Sequence, residues 1–93
     1  MNQRSTFYNF IAQTSPAPMA LEIVKALGVE MWDKFGKVYI DMISGISVSN
    51  VGHCHPKVVE AVKNQAETYM HLMVYGEYIQ SPQVQLAHKI CSL

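Results

Sequence analysis

The spacing of hydrophobic positions predicts a short helix at the start of the chain. Three large apolar residues share one face of that helix: Phe7, Phe10 and Ile11. Ser5 is a suitable N-cap, because its hydroxyl can accept a hydrogen bond from the first turn. The two prolines in residues 15–18 impose extended backbone, so the helix must end before them. We therefore predict an arm helix in residues 1–14 and one continuous segment in residues 15–93.

A small antiparallel sheet is predicted next, from strands at Leu21–Gly28, Val29–Trp32 and Lys37–Met42. Apolar and polar residues alternate in the last strand, which predicts that one of its faces, carrying Val38, Ile40 and Met42, is buried. Residues 33–36 join the last two strands as a hairpin. Gly36 suits the left-handed position of that turn, and the Asp33 side chain can bond nearby backbone amides. Gly28 is predicted to mark a bend between the first two strands.

The segment after the sheet, residues 44–52, has no hydrophobic period and is rich in small residues. Such a stretch allows the backbone to approach a neighbouring segment or a ligand closely. Pro56 then suits the first turn of a long helix, with His55 as its N-cap. The apolar face of this helix is predicted to be core and to run on to Met73: Val58, Val59, Val62, Ala66, Tyr69, Met70 and Met73.

A second helix is predicted after a loop at residues 75–80, with Ser81 as its N-cap and Pro82 at its first position. Its apolar side carries Val84, Ala87, Ile90 and Cys91. No glycine, asparagine or proline ends the pattern before Leu93. We therefore expect that the natural protein continues. The predicted fold class is α+β: a short helix, a small antiparallel sheet with a hairpin, and two helices.

Composition narrows the possible functions. Seven Lys and Arg balance seven Asp and Glu, which argues against nucleic acid as a partner. Apolar residues make up 49% of the chain and charged residues 15%, which indicates either a well-filled core or a segment that packs onto more protein. No apolar run has the length of a membrane span or a signal peptide. Cys54 and Cys91 are interpreted as reduced thiols that pack as small hydrophobes in a cytoplasmic protein.

The run from His53 to His55 raises the question of a metal site, because two imidazoles flank Cys54. A zinc site needs three or four protein ligands, and no further ligand has a suitable spacing, so we predict no metal. A Cys54 nucleophile lacks a third group to orient a base. From the residues alone, the chain is predicted to be a small cytosolic α+β domain that associates with itself or another surface.

Several motifs occur together in a fixed order: Gly28-Val-Glu-Met-Trp-Asp33, Gly36-Lys-Val-Tyr-Ile-Asp41, Ser44-Gly-Ile46 and Gly52-His-Cys-His-Pro56. This ordered string resembles the N-terminal signature of class III pyridoxal-phosphate-dependent aminotransferases of the acetylornithine, ornithine and 4-aminobutyrate type. The resemblance implies the N-terminal part of a fold-type I aminotransferase. It also implies a cytoplasmic homodimer that moves an amino group between an amino acid or ω-amino donor and a 2-oxo acid.

The resemblance also assigns roles to particular residues. It implies that Ile46, with Gly45 beside it, lines the substrate pocket, and an aliphatic residue there is similar to acetylornithine and 4-aminobutyrate transaminases. His53 is expected to orient the turn into the long helix. The cofactor lysine, the carboxylate on the pyridine nitrogen and the phosphate site lie downstream in the family. We therefore expect no catalytic or cofactor-binding residue in this chain, which would be inert alone. The alternative is a stand-alone, non-enzymatic α+β domain that self-associates.

Overall fold

The computed structural model describes residues 2–93, which form two compact units that meet in sequence at Val59 and Glu60. The α+β class is confirmed. The elements, in chain order, are α1 (Gln3–Phe10), β1 (Ile23–Leu27), β2 (Glu30–Asp33), β3 (Val38–Ile40), α2 (Ser44–Ser47), α3 (Pro56–Thr68) and α4 (Ser81–Cys91). The predicted organisation as an arm and one following segment stays a prediction.

Helix α1 begins one turn earlier than the sequence predicted. Its N-cap is Asn2, whose side-chain oxygen accepts a hydrogen bond from the Ser5 amide at 2.8 Å. The predicted cap, Ser5, is therefore wrong, because the asparagine three residues earlier satisfies the first turn. The guanidinium of Arg4 donates to the Ala20 carbonyl at 3.1 Å and lies 3.6 Å from the Glu22 carboxylate, which ties α1 to the segment before β1.

The three strands form one antiparallel sheet in the order β1-β2-β3. Leu27 pairs with Glu30, and Gly28, with a φ of 60°, turns the chain between them as predicted. The hairpin between β2 and β3 is also confirmed. Gly36 has a φ of 84°, and the Asp33 carboxylate accepts hydrogen bonds from the amides of Phe35 and Lys37, each at 2.9 Å. The side chain of Asp33 thus closes this turn.

The expectation that β3 buries an apolar face is wrong. Val38 and Ile40 are 46% and 56% exposed, whereas the intervening Tyr39 is half-buried. The hydroxyl of Tyr39 donates to the Asp33 carboxylate at 3.0 Å, which holds the ring against the hairpin. A sheet face is buried only when a second layer packs on it, and the unit up to Val59 provides none over these residues. Throughout residues 2–93, no hydrophobic side chain is buried.

Helix α3 begins as the sequence predicted. The His55 carbonyl accepts a hydrogen bond from the Val59 amide at 2.9 Å, and its ring Nδ1 accepts one from the Lys57 amide at 3.2 Å. The helix ends at Thr68, however, and does not continue to Met73. Tyr69 directly follows the helix, and the Gln65 side chain donates to its carbonyl at 2.9 Å. This bond satisfies a carbonyl where the helix ends.

The apolar face of α3 is not a core in this chain, because Val58 and Val62 are exposed. Helix α4 begins at Ser81 with Gln80 as its N-cap, so the predicted cap is wrong by one residue. The Ser81 hydroxyl instead accepts a hydrogen bond from the Gln85 side chain at 2.8 Å. No helix within residues 2–93 combines the length and apolar character that crossing a membrane requires.

Two glycines with nearly the same backbone conformation allow a matched test of the sheet and its connections. Gly36 and Gly52 have φ angles of 84° and 83°. A methyl group at Gly36 would meet no atom within 4 Å, whereas one at Gly52 would lie 3.3 Å from the Gly28 backbone. We expect Gly36→Ala to cost about 1 kcal/mol of unfolding free energy from its positive φ alone, and Gly52→Ala to cost more. Denaturant midpoints of the full-length protein test this, and equal costs would contradict it.

Candidate functional site

The Asp41 carboxylate organises the loop between β3 and α3. One of its oxygens accepts hydrogen bonds from the amides of Ile43 and Ser44, at 3.0 and 2.9 Å. The other lies 2.6 Å from Nε2 of His53. The backbone amide of Asp41 donates to the Val29 carbonyl at 2.8 Å, so the residue is also fixed to the start of β2. One residue, through its side chain and its backbone amide, therefore joins the start of the loop, its end and the sheet.

His53 and Gly28 form a second connection between this loop and the sheet. Their backbones exchange two hydrogen bonds, from the Gly28 amide to the His53 carbonyl at 3.0 Å and in return at 2.8 Å. Gly52 lies directly against Gly28, and a Cβ there would lie only 3.3 Å from its backbone. The expectation that His53 orients the turn into α3 agrees with this geometry, because both its backbone and its ring are held.

The turn α2 has an unusual backbone. Four consecutive residues have a positive φ: 55° at Ser44, 61° at Gly45, 63° at Ile46 and 63° at Ser47. Left-handed conformation costs non-glycine residues about 1–2 kcal/mol each, and for a β-branched residue such as Ile46 it is a rare departure. Such strain persists only where surrounding contacts enforce it, and it is concentrated at functional sites.

The two residues expected at the substrate pocket, Gly45 and Ile46, lie in the middle of this left-handed turn. The Ile46 side chain is 85% exposed, so it is not a core residue of this chain. A polar cavity of about 170 Å³ lies beside the turn. It is lined by Gly28, Val29, Asp41, Ser44, Ser49, Asn50, Gly52 and His53. The structure thus presents Ile46 on the surface. Of the four turn residues, Ser44 lines the cavity, whereas Gly45 and Ile46 do not.

Sequence reasoning missed the part that Asp41 plays, although it noted the residue within a motif. The signal for this role is an aspartate directly after a strand and shortly before a small-residue loop. An aspartate in such a place often closes an Asx turn, in which its side chain bonds the backbone two residues on. The partnership with His53 spans twelve positions and has no local signal in the sequence.

The pKa values of both turn-closing carboxylates are lowered. For Asp41, the hydrogen bond from the Ser44 amide contributes most to lowering the pKa, followed by the hydrogen bond with His53. For Asp33, desolvation raises the pKa, but hydrogen bonds from the Lys37 and Phe35 amides and from the Tyr39 hydroxyl together outweigh it. Both carboxylates are therefore favoured in their charged form, which is the form that accepts these bonds.

Metal ligands and thiols add nothing to this site. Within residues 2–93, no three His, Cys, Asp or Glu side chains are grouped so that they could hold a metal ion. Cys54 and Cys91 are free thiols, and both are exposed. The expectation that they pack as small hydrophobes is therefore wrong, because neither unit has a core to receive them.

Comparison with known proteins identifies the family. The family described as aminotransferase class III matches residues 11–93. Acetylornithine aminotransferase of Methanocaldococcus jannaschii is 51% identical over 71 residues, which cover 76% of this chain and 17% of that protein. The chain belongs to the class III aminotransferase family. It spans about one sixth of the length of the curated relatives that it matches.

Solved structures agree with this assignment. The taurine:2-oxoglutarate aminotransferase from Bifidobacterium kashiwanohense, in complex with PLP and glutamate, superimposes with a TM-score of 0.81 and 34% identity, over 96% of this chain and 20% of that one. The acetylornithine aminotransferase from Elizabethkingia anophelis gives a TM-score of 0.80 and 32% identity, over 95% and 22% of the two chains. The predicted family and fold class are confirmed.

The loop cavity does not by itself fit pyridoxal phosphate, the cofactor that the family implies. Its site needs a lysine and a cup for the phosphate, but the loop cavity contains no lysine and includes the Asp41 carboxylate, which would repel a phosphate. Three of the lysines are held elsewhere on the surface. The ammonium of Lys34 lies 2.6 Å from Glu22, and those of Lys25 and Lys37 lie over the rings of Trp32 and Tyr39.

The lowered pKa values predict how stability depends on pH. Because the pKa of Asp41 is lower in the folded protein than its ordinary value of 3.8, its contribution is complete above that value and is lost as the pH falls through the lowered pKa. The same sign applies to Asp33. We expect Asp41→Asn and Asp33→Asn each to flatten the acid side of the stability profile. Denaturant midpoints of the full-length protein between about pH 2 and 5 measure this; an unchanged slope in both variants would contradict it.

Proposed function

We propose that this chain is part of a pyridoxal-phosphate-dependent aminotransferase that moves an amino group between an amino acid or ω-amino donor and a 2-oxo acid. The observation that carries the proposal is the class III family match along residues 11–93. Relatives named acetylornithine aminotransferase and ornithine aminotransferase support it. When bound, the cofactor draws electrons from the amino-bearing carbon of the substrate. Its lysine, pyridine-nitrogen carboxylate and phosphate site are expected in the rest of the protein.

The part of the chain that we assign to substrate is the left-handed turn at residues 44–47. Ile46 is its largest side chain and is 85% exposed, so its aliphatic surface is free to form one wall of a pocket. Gly45, beside it, adds backbone without side-chain bulk. The role of this turn is to shape the pocket and select the amino donor. No chemical step is assigned to it.

A homodimer in the cytoplasm is the proposed setting, with a small amino-acid substrate and neither nucleic acid nor membrane as partner. The exposed hydrophobic surface supports the need for further protein contacts. Phe10 is 70% exposed, and most of the large apolar residues of the sheet and of both longer helices are also exposed. A chain with no buried hydrophobic side chain among its described residues gains little hydrophobic stabilisation on its own. This observation favours part of an enzyme over the alternative of a stand-alone domain.

The assignment of the cofactor site to the rest of the protein can be tested directly. We expect the 93-residue chain to retain no pyridoxal phosphate after gel filtration and to show no transaminase activity, whereas the full-length protein shows both. The measurement is the cofactor absorbance and amino transfer from a panel of donors to 2-oxoglutarate. Cofactor retained by the short chain would contradict the assignment of that site to the rest of the protein.

The role of Ile46 is tested in the full-length enzyme. Because the side chain is exposed here and packs on no core, Ile46→Ala should leave folding and cofactor binding intact. It should lower kcat/KM for the natural donor by roughly ten- to a hundredfold, the usual effect of losing an aliphatic contact of this size. Ile46→Tyr should shift preference toward donors with a distal amino group, which the hydroxyl can meet.

The control for these variants is Val38→Ala, another partly exposed aliphatic residue, on β3 and outside the turn. It should leave the ranking of donors unchanged. If Ile46→Ala lowers the melting temperature by many degrees and keeps the donor ranking, Ile46 is a packing residue and the pocket assignment is wrong.

A further inference from the structure

Two aspartates of this chain make the same set of hydrogen bonds at different places. In each, one carboxylate oxygen accepts from two backbone amides and the other interacts with one side chain. Asp33 bonds the amides of Phe35 and Lys37 and the hydroxyl of Tyr39. Asp41 bonds the amides of Ile43 and Ser44 and the ring of His53, as described above. The difference lies in what each one holds: an ordinary hairpin in the first case, the strained turn in the second.

We propose that Asp41, with His53 as its partner, is a positioning residue for amino-donor selection, acting through the left-handed turn that carries Ile46. This inference rests on the proposed function. Asp41 does not contact the donor. It sets the backbone from which Ile46 is presented, and the specificity of the pocket depends on that backbone keeping one conformation.

The left-handed turn needs an anchor outside itself. Its own backbone hydrogen bonds run from the Ile46 amide to the Ile43 carbonyl at 3.0 Å, and from the amides of Val48 and Ser49 to the Ser44 carbonyl at 2.8 and 2.9 Å. These bonds close the turn but do not connect it to the sheet. Three of its four residues are not glycine, so the left-handed conformation is unfavourable by itself.

The Asp41 carboxylate supplies this anchor where the backbone enters the turn. The side chain of Asp41 is only 9% exposed, so water competes weakly for its oxygens. Its bonds to the Ile43 and Ser44 amides fix the direction in which the backbone enters the turn. The backbone of Asp41 itself is held by Val29, in the turn between β1 and β2. The turn is therefore joined to a rigid element through one carboxylate.

His53 in turn fixes the carboxylate. Its Nε2 lies 2.6 Å from Oδ2 of Asp41, and its backbone amide and carbonyl are both bonded to Gly28. The carboxylate is thus held from two directions, by its own backbone directly after β3 and by the far end of the loop. Positioning of this kind matters because a displacement of about 1 Å at a pocket wall can lower the rate about a hundredfold.

The experiment compares alanine variants of the two aspartates in the full-length holoenzyme. Asp41→Ala should lower kcat/KM for the natural donor by about tenfold or more, mainly through a higher KM, and should weaken discrimination among donors. Asp33→Ala removes an equivalent set of hydrogen bonds, so it should lower the melting temperature without changing the donor ranking. If both variants lose stability and donor discrimination in the same proportion, Asp41 is a structural residue only and the proposal is overturned.

A double-mutant cycle identifies the route of the effect. If Asp41 acts through the turn, Asp41→Ala should have little further effect on donor discrimination once Ile46→Ala is present. Fully additive effects would overturn the proposal. Asp41→Asn retains an oxygen that can accept from the Ile43 and Ser44 amides, so it should restore most of the discrimination that alanine loses. If Asp41→Asn shows no more donor discrimination than Asp41→Ala, the proposal is also overturned.

Amide hydrogen exchange separates this inference from the proposed function. Asp41→Ala should accelerate exchange at Ile43 and Ser44 and leave the hairpin amides unchanged, whereas Asp33→Ala should do the reverse. If the wild-type protein transfers no amino group, the proposed function fails whatever the exchange shows. If it transfers amino groups but Asp41→Ala leaves exchange at Ser44 unchanged, the positioning role fails while the function stands. Should Asp41→Ala not fold, His53→Ala answers the same question, because it removes the ring that holds the carboxylate and leaves the carboxylate itself in place.

Discussion

The hydrogen bonds of the Asp41 carboxylate are the interaction on which this part of the molecule depends. They join the end of the sheet, the start of the left-handed turn and the segment that leads into α3. A neutral acceptor would serve either end of the loop less well, because bonds to a charged oxygen are shorter and stronger. Without them, a turn of mainly non-glycine residues would relax toward right-handed backbone, and the direction of Ile46 would no longer be fixed.

Local signals in the sequence predicted the elements but not what covers them. The hairpin at Gly36 and the start of α3 at His55 depend on residues within a few positions of each other, and both are as predicted. The end of α3 at Thr68 was missed because its apolar spacing continues beyond the helix. The alternation of apolar and polar residues in β3 indicates that one face of the strand needs to be covered. The alternation is the same whether the covering residues belong to this chain or to other protein, so it cannot tell the two apart.

At the candidate site, too, contacts between distant residues had no signal in the sequence. Ile46 and Gly45 were selected by resemblance alone, since nothing in their spacing predicts a left-handed turn at a β-branched residue. The His53–Asp41 pair spans twelve positions and became visible only when the strand and the loop were placed in space. Residues that act through backbone geometry leave weak traces in a single sequence, because aspartate before a small-residue loop is common and has many ordinary uses.

The Asp33 hairpin has a consequence for how the chain folds. All of its closing contacts lie within six residues, from the Phe35 amide to the Tyr39 hydroxyl. Hairpins closed by such local contacts form in about 1–10 μs, because little loop entropy is lost. The apolar faces of the strands have no such local partner. Any cover for them must come from protein that is more distant in sequence or from another chain. The sheet can therefore be the template on which later segments assemble, and the time during which its exposed faces stay uncovered is when aggregation competes with folding.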